Sequence, residues 1–142
     1  MSSLSYASKW VGYTEPEANR TVFAEMVQND SGMDFQGKPW CVIFIYAVHP
    51  DAIKLGRPCS GIYTLLRKVV LRLRWRGRGY APKCGDLVFL RNSMDEIAGH
   101  VEIVEDYDGD LLTSIGGNTL GGRVARKFRD IQDWRIIGFA VM

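Results

Sequence analysis

The spacing of apolar residues changes period near the middle of the chain, and that change restricts the fold more than any other feature. In the first half Phe23, Met26 and Val27 fall at i, i+3 and i+4, and Ile62, Leu65, Leu66, Val69 and Val70 keep helical spacing within residues 60–73. From residue 86 onward the spacing becomes that of strands. Val101-Glu102-Ile103-Val104-Glu105 alternates with a period of two. Asp106-Tyr107-Asp108-Gly109-Asp110 supplies a turn, and Leu111-Leu112-Thr113-Ser114-Ile115 returns from it. Further strands are expected at 86–90, 124–128 and 136–141. Helices followed by an antiparallel meander make an α+β domain, and 142 residues suit a single domain over 1–142.

Local signals place the remaining elements. Residues 5–11 suit a short helix. Thr14-Glu15-Pro16-Glu17 has the form of a helix start, with Thr14 as N-cap, proline near the first turn and acids that suit the dipole. Asn29-Asp30-Ser31-Gly32 ends that helix. Another is expected from Cys41 to near His49-Pro50, and Gly116-Gly117-Asn118 is expected to break the strand that starts at Leu111.

Several functional classes are excluded or set aside on composition. A hydrophobic share of 46% with 24% charged residues is that of a soluble globular chain. No stretch approaches the ~20 apolar residues that span a bilayer, so no membrane span is expected. The opening Met1-Ser2-Ser3-Leu4-Ser5-Tyr6 lacks the basic and apolar regions of a signal peptide. The expectation is synthesis in the cytoplasm, with any exit independent of a cleaved signal. Three cysteines, Cys41, Cys59 and Cys84, are too few and too irregularly spaced for a disulfide framework; Cys59 could pair with Cys84, but two buried thiols is the stronger reading. There is no Cys-x-x-Cys pair for structural zinc. The acidic turn at 106–110 lacks the bidentate Glu of an EF-hand loop, so neither a metal nor a cofactor is expected.

Residues 67–83 hold seven basic side chains (Arg67, Lys68, Arg72, Arg74, Arg76, Arg78 and Lys83) and no acid. Such a run either contacts an anionic polymer or forms a solvated face. Trp75 and Tyr80 within it lack the regular aromatic spacing of a single-strand binder, which leaves nucleic acid as the weaker reading.

Chemistry is concentrated around Cys41. It follows Lys38-Pro39-Trp40 and opens the apolar run Val42-Ile43-Phe44-Ile45-Tyr46-Ala47-Val48. A thiol there sits at a helix N-terminus, where free backbone N–H groups and the dipole favour thiolate. A cysteine beside apolar residues is also an ordinary core residue, so the assignment depends on partners. A nucleophilic cysteine needs a base, and the base needs an orienter. His49 lies eight residues on, at the far end of the same helix, and suits a helix C-terminal role. His100 follows Gly99 and opens the alternating strand, from which an imidazole can face a helix packed on the sheet. If 106–110 forms a hairpin, the returning strand brings Asn118 close to His100, where it can fix the ring tautomer.

Pro39-Trp40-Cys41, Pro82-Lys83-Cys84-Gly85-Asp86-Leu87-Val88-Phe89, Gly99-His100-Val101-Glu102-Ile103-Val104 and Ile115-Gly116-Gly117-Asn118 together resemble the CHAP family. These are cysteine, histidine-dependent amidohydrolases/peptidases within the papain-like NlpC/P60 group. The likeness runs from about Gly12 to the C-terminus and is closest to the short versions of phages and prophages. It implies a papain-like α+β fold, with N-terminal helices packed on a C-terminal antiparallel sheet. It implies amide or peptide hydrolysis in peptidoglycan, as an N-acetylmuramoyl-L-alanine amidase or an endopeptidase, with Cys41 as nucleophile, His100 as base and Asn118 as orienter.

Trp40, Tyr13 and Asn19 are the substrate-side candidates, with Trp40 packed beside the site and Tyr13 and Asn19 lining the cleft. Two departures stand out. Many relatives carry Glu-Gly-Asn where this chain has Gly116-Gly117-Asn118. Pro58-Cys59-Ser60-Gly61 resembles the Asp-Cys-Ser-Gly nucleophile motif of NlpC/P60 endopeptidases, but with Pro58 for Asp, so Cys59 is assigned to structure. The missing Glu motivates an alternative: a catalytically idle CHAP-like module that binds wall polymer or a partner through Arg67, Arg72, Arg74, Arg76 and Arg78.

Overall fold

The computed structural model describes residues 4–119 and 121–142. Met1, Ser2 and Ser3, which open the segment read for a signal peptide, lie outside the described residues. Four helices precede or flank one sheet: α1 (Ser5–Ser8), α2 (Val22–Ser31), α3 (Cys41–Val48) and α4 (Ile62–Leu71), with a 3-10 turn at Ala52–Leu55. The strands are β1 (Trp75–Arg76), β2 (Leu87–Leu90), β3 (His100–Tyr107), β4 (Leu111–Thr119), β5 (Arg123–Asp130) and β6 (Ile136–Ala140). They form one six-stranded sheet in the order β1-β6-β2-β3-β4-β5, with every neighbour antiparallel. The expected α+β class is therefore observed.

The sheet is covered on both faces. Leu87, Phe89, Val101, Ile103 and Ile115 join α2, α3 and α4 in the larger cluster. Val88, Leu90, Val104, Leu112, Ile136 and Phe139 form a smaller one. All four residues of β2 are buried, which explains its unbroken apolar run. Helix α3 is apolar around its whole circumference and so must be enclosed. Val42, Ile43, Phe44 and Ile45 are 0% exposed, each contributing about 1.5–3 kcal/mol from burial.

Three local expectations need correction. No helix starts at Thr14. Thr14 instead bridges to Arg123, and Glu15 is drawn inward to the Trp40 indole, so tertiary pairing overrides the capping signature. Helix α2 starts at Val22, where Thr21 Oγ1 accepts from the Ala24 amide at 3.1 Å, and it ends at the left-handed Gly32. Strand β4 does not break at Gly116-Gly117-Asn118 but continues to Thr119 through a register shift. Cys59 and Cys84 are not two buried thiols: Cys59 is half-buried and Cys84 is exposed, and no disulfide joins them.

Strand β1, inside the basic run, was not legible as a strand. The arginines around it hold backbone carbonyls: Arg74 Nη1 donates to Val141 O at 3.1 Å, and Arg78 Nη1 to Ile136 O at 2.6 Å. Such bonds leave the positive charges unneutralised. Among the described residues no helix is long and apolar enough to cross a membrane.

Candidate active site

The first residue of helix α3 borders a cavity. The first bond within the helix runs from Phe44 N to Trp40 O at 2.9 Å, so the amides of Cys41, Val42 and Ile43 have no partner in a preceding turn. Cys41 is 8% exposed at this end, whereas the rest of the turn is sealed. Trp40 fixes the helix start. It is 1% exposed, stacks on Phe23 with centroids 5.5 Å apart, and donates Nε1–H to Glu15 Oε2 at 2.7 Å.

His100 is the first residue of β3, at the sheet end that faces Cys41. Its Nε2 lies 2.9 Å from Glu102 Oε2. Residues i and i+2 of a strand share a face, so His-x-Glu presents both side chains together. Glu102 is 0% exposed, and its other oxygen accepts from Ser114 Oγ at 2.7 Å and Arg129 Nη1 at 2.6 Å. Arg129 Nη1 also donates to Ser114 Oγ at 3.2 Å. The carboxylate is thus fully partnered, as a buried charge must be.

The electrostatics follow from these contacts. Burial by itself would lower the basicity of His100, but contact with Cys41 and the bond to Glu102 outweigh it and raise its pKa to about 9. Burial would likewise raise Glu102, yet His100 and Arg129 hold it well below the usual carboxylate range. With Nε2 engaged by Glu102, Nδ1 is the ring nitrogen left for the sulfur. Together these place a thiol, an imidazole and a buried carboxylate in series.

Asn118 lines the same cavity as Cys41, His100 and Glu102. Its backbone is left-handed, with φ 56°, a conformation asparagine tolerates. Among the described residues no hydrogen bond joins it to His100; the ring is held by Glu102 instead. The orienter expected on β4 is therefore on β3.

The two glycines before Asn118 explain the exchange. A Cβ on Gly116 would lie 2.5 Å from Glu102 Cγ and 2.8 Å from Glu102 Oε2. A Cβ on Gly117 would lie 2.6 Å from Phe44 Cβ and 2.8 Å from Trp40 Cζ3. One glycine makes room for the carboxylate and the other for the helix. Where the sequence lacks a glutamate at position 116, the side chain of Glu102 fills that space.

The other expected substrate contacts sit elsewhere. Trp40, Tyr13 and Asn19 line neither cavity beside Cys41. Trp40 is enclosed as described. Tyr13 is wedged edge-on to Phe23 and Trp40, and its hydroxyl accepts from Val22 N at 3.0 Å. Asn19 has φ 57° and donates its amide to Glu15 at 3.0 Å. The contacts of all three are thus with the protein's own packing and backbone, away from both cavities, in place of the cleft-lining positions expected for Tyr13 and Asn19. His49 caps α3, with Nε2–H toward Gly85 O at 2.7 Å and Nδ1 accepting from Asp51 N at 3.0 Å, and burial lowers its pKa.

Among the described residues no three His, Cys, Asp or Glu gather to hold a metal. The acidic turn is an ordinary one, in which Asp108 Oδ1 accepts from Asp110 N and Leu111 N.

No protein-family model and no curated protein matches the chain. Two solved structures align with part of it: the crystal structure of Ly7917, and that of Ly7917 with the hydrolyzing product of MDP. In each case identity is 28% and the TM-score 0.36, and the match covers 46% of this chain and 30% of the other.

Proposed function

We propose that the protein is a thiol hydrolase of amide or peptide bonds, of the CHAP type on a papain-like NlpC/P60 fold, acting on peptidoglycan as an amidase or endopeptidase. The observation that carries this reading is the series Cys41–His100–Glu102 at the mouth of one cavity. A carboxylate that is 0% exposed and bound to an imidazole at 2.9 Å, with that imidazole against a helix-start thiol, is an arrangement for nucleophilic catalysis. The motif resemblance supplies the substrate class.

In this mechanism the Cys41 thiolate attacks the scissile carbonyl carbon, forming the S–C bond. The negative charge that develops on oxygen is met by the Cys41 amide at the start of α3. His100, as imidazolium, gives its proton to the nitrogen as the C–N bond breaks, and the amine leaves. The neutral ring then takes a proton from water, which attacks the thioester and releases the acid and the thiolate. Glu102 holds the tautomer and stabilises the imidazolium, as the third member of such series does. The alternative of an idle binding module drew on Gly116 lacking a carboxylate. Glu102 supplies one to the ring, which supports the enzymatic reading.

The test is hydrolysis of labelled peptidoglycan by the protein and by Cys41→Ala, matched for fold by circular dichroism. Released amino groups with no new reducing ends, lost in Cys41→Ala, are expected. Equal release by both proteins, or none by either, rejects the proposal.

A further inference from the structure

Cys41 lies between two cavities of different character. One, of about 360 Å³, is lined on the sheet side by His100, Glu102, Asn118, Lys127 and Arg129. The other, of about 400 Å³, extends toward α4 past Pro39, Ile62, Tyr63 and Ala98. Cys41, Pro39 and Gly99 border both, so the two cavities are arms of one cleft with the thiol between them.

Their charges differ. The α4 arm contains one cation and one anion, Lys38 and Glu96, and is otherwise apolar or neutral. In the sheet arm Glu102 is matched by Arg129 at 2.6 Å. As thiolate and imidazolium, the pair that the mechanism uses, Cys41 and His100 add nothing to the sum. Lys127 is what remains. It is half-buried on β5, opposite Ser114 in the ladder, and among the described residues its side chain forms neither a hydrogen bond nor an ion pair. Its neighbour Arg126 points its charge at Glu105, at 2.6 Å, and so takes that acid for itself. The sheet arm therefore holds one net positive charge without a counter-ion beside the candidate nucleophile.

We propose that the sheet arm binds an anionic group of the substrate, with Lys127 as its counter-charge and specificity determinant, so that the bond presented to Cys41 is flanked by a free carboxylate on the β5 side. The α4 arm accepts a neutral or apolar group on the other side. This inference rests on the thiol-hydrolase reading and deepens it.

The test uses two alkylating probes of nearly equal size, iodoacetate and iodoacetamide, which differ in one negative charge. Each forms an S–C bond to Cys41 with loss of iodide. Rates at Cys41 are resolved by peptide mass spectrometry, and the iodoacetate-to-iodoacetamide ratio is divided by that of a free cysteine derivative. The normalised ratio is expected to exceed one by about five-fold, the order expected of one partly solvated charge nearby, and to fall toward one in Lys127→Gln and in high salt. A normalised ratio of one in the parent protein, or one unchanged by Lys127→Gln, overturns the proposal while leaving the thiol reading intact. Slow reaction of Cys41 with both reagents, relative to Cys59 and Cys84, overturns the thiol reading and the proposal with it.

Discussion

Replacing Glu102 by glutamine removes a charge and changes almost nothing in shape, so its effect isolates what the carboxylate does. Glu102 accepts from three donors: His100 Nε2 at 2.9 Å, Ser114 Oγ at 2.7 Å and Arg129 Nη1 at 2.6 Å. The amide introduced by Glu102→Gln would bring its own N–H₂ against one of them. The main consequence falls on His100. Its pKa of about 9 stands against an ordinary value of 6.5, a net difference worth about 3 kcal/mol at 1.36 kcal/mol per unit, in which desolvation lowers the value and Cys41 and Glu102 together more than offset it. Desolvation, which favours the neutral ring, survives the substitution. The His100 titration midpoint should therefore fall by at least about one unit. Turnover should fall by up to about 300-fold, the kinetic equivalent of the whole difference. The chain has only two histidines, so imidazole NMR reads His100 directly, with His49 as an internal control. A His100 midpoint that stays within about 0.3 of the parent value would refute the electrostatic role given to Glu102.

Three further outcomes follow from the same geometry. Gly116→Ala places a methyl 2.5 Å from Glu102 Cγ and should cost about 1–3 kcal/mol in denaturant unfolding while lowering the His100 midpoint; Gly117→Ala, which strikes Phe44 and Trp40 instead, should cost stability but leave that midpoint in place. Trp40→Phe removes the 2.7 Å bond to Glu15 and should lower unfolding free energy by about 1–3 kcal/mol, measured by urea titration. The raised His100 contributes stability that is complete below its unfolded value of 6.5 and lost as pH climbs through about 9. The lowered Glu102 contributes stability that is complete above 4.5 and lost as pH falls through its folded value. Thermal midpoints measured against pH should therefore show this pair's full contribution between about 4.5 and 6.5, and Glu102→Gln should flatten both flanks.

The parts of the site that local sequence carries were legible. Cys41 stands at the head of an apolar helix, and His100 opens an alternating strand after a glycine; neither needs a distant residue to be recognised. The fold class was legible for the same reason, since helical and strand periods are local. Glu102 was not. In a strand read as alternating, its position belongs to the solvent face. That face is instead covered by Ser114 and Arg129, which reach it only through the pairing of β3, β4 and β5. Asn118 was singled out because it follows a glycine pair after a hairpin, a correct placement beside the cavity but without the hydrogen bond to the ring. The same non-local logic moved the first long helix. Thr14 and Glu15 form a convincing cap in isolation, yet Arg123 and Trp40 claim them. Strand β1 is two residues long and exists only because β6 lies beside it.

The proposed chemistry requires Cys41 to be an activated nucleophile and not merely a core thiol. Site-resolved iodoacetamide labelling at neutral pH tests this against a clear rival, because exposure alone sets a different order. Cys84 is exposed, Cys59 half-buried and Cys41 only 8% exposed. Activation by the helix start and His100 predicts that Cys41 is modified first, and that Glu102→Gln slows it selectively. Labelling that follows exposure, with Cys84 first and Cys41 last, would contradict the account.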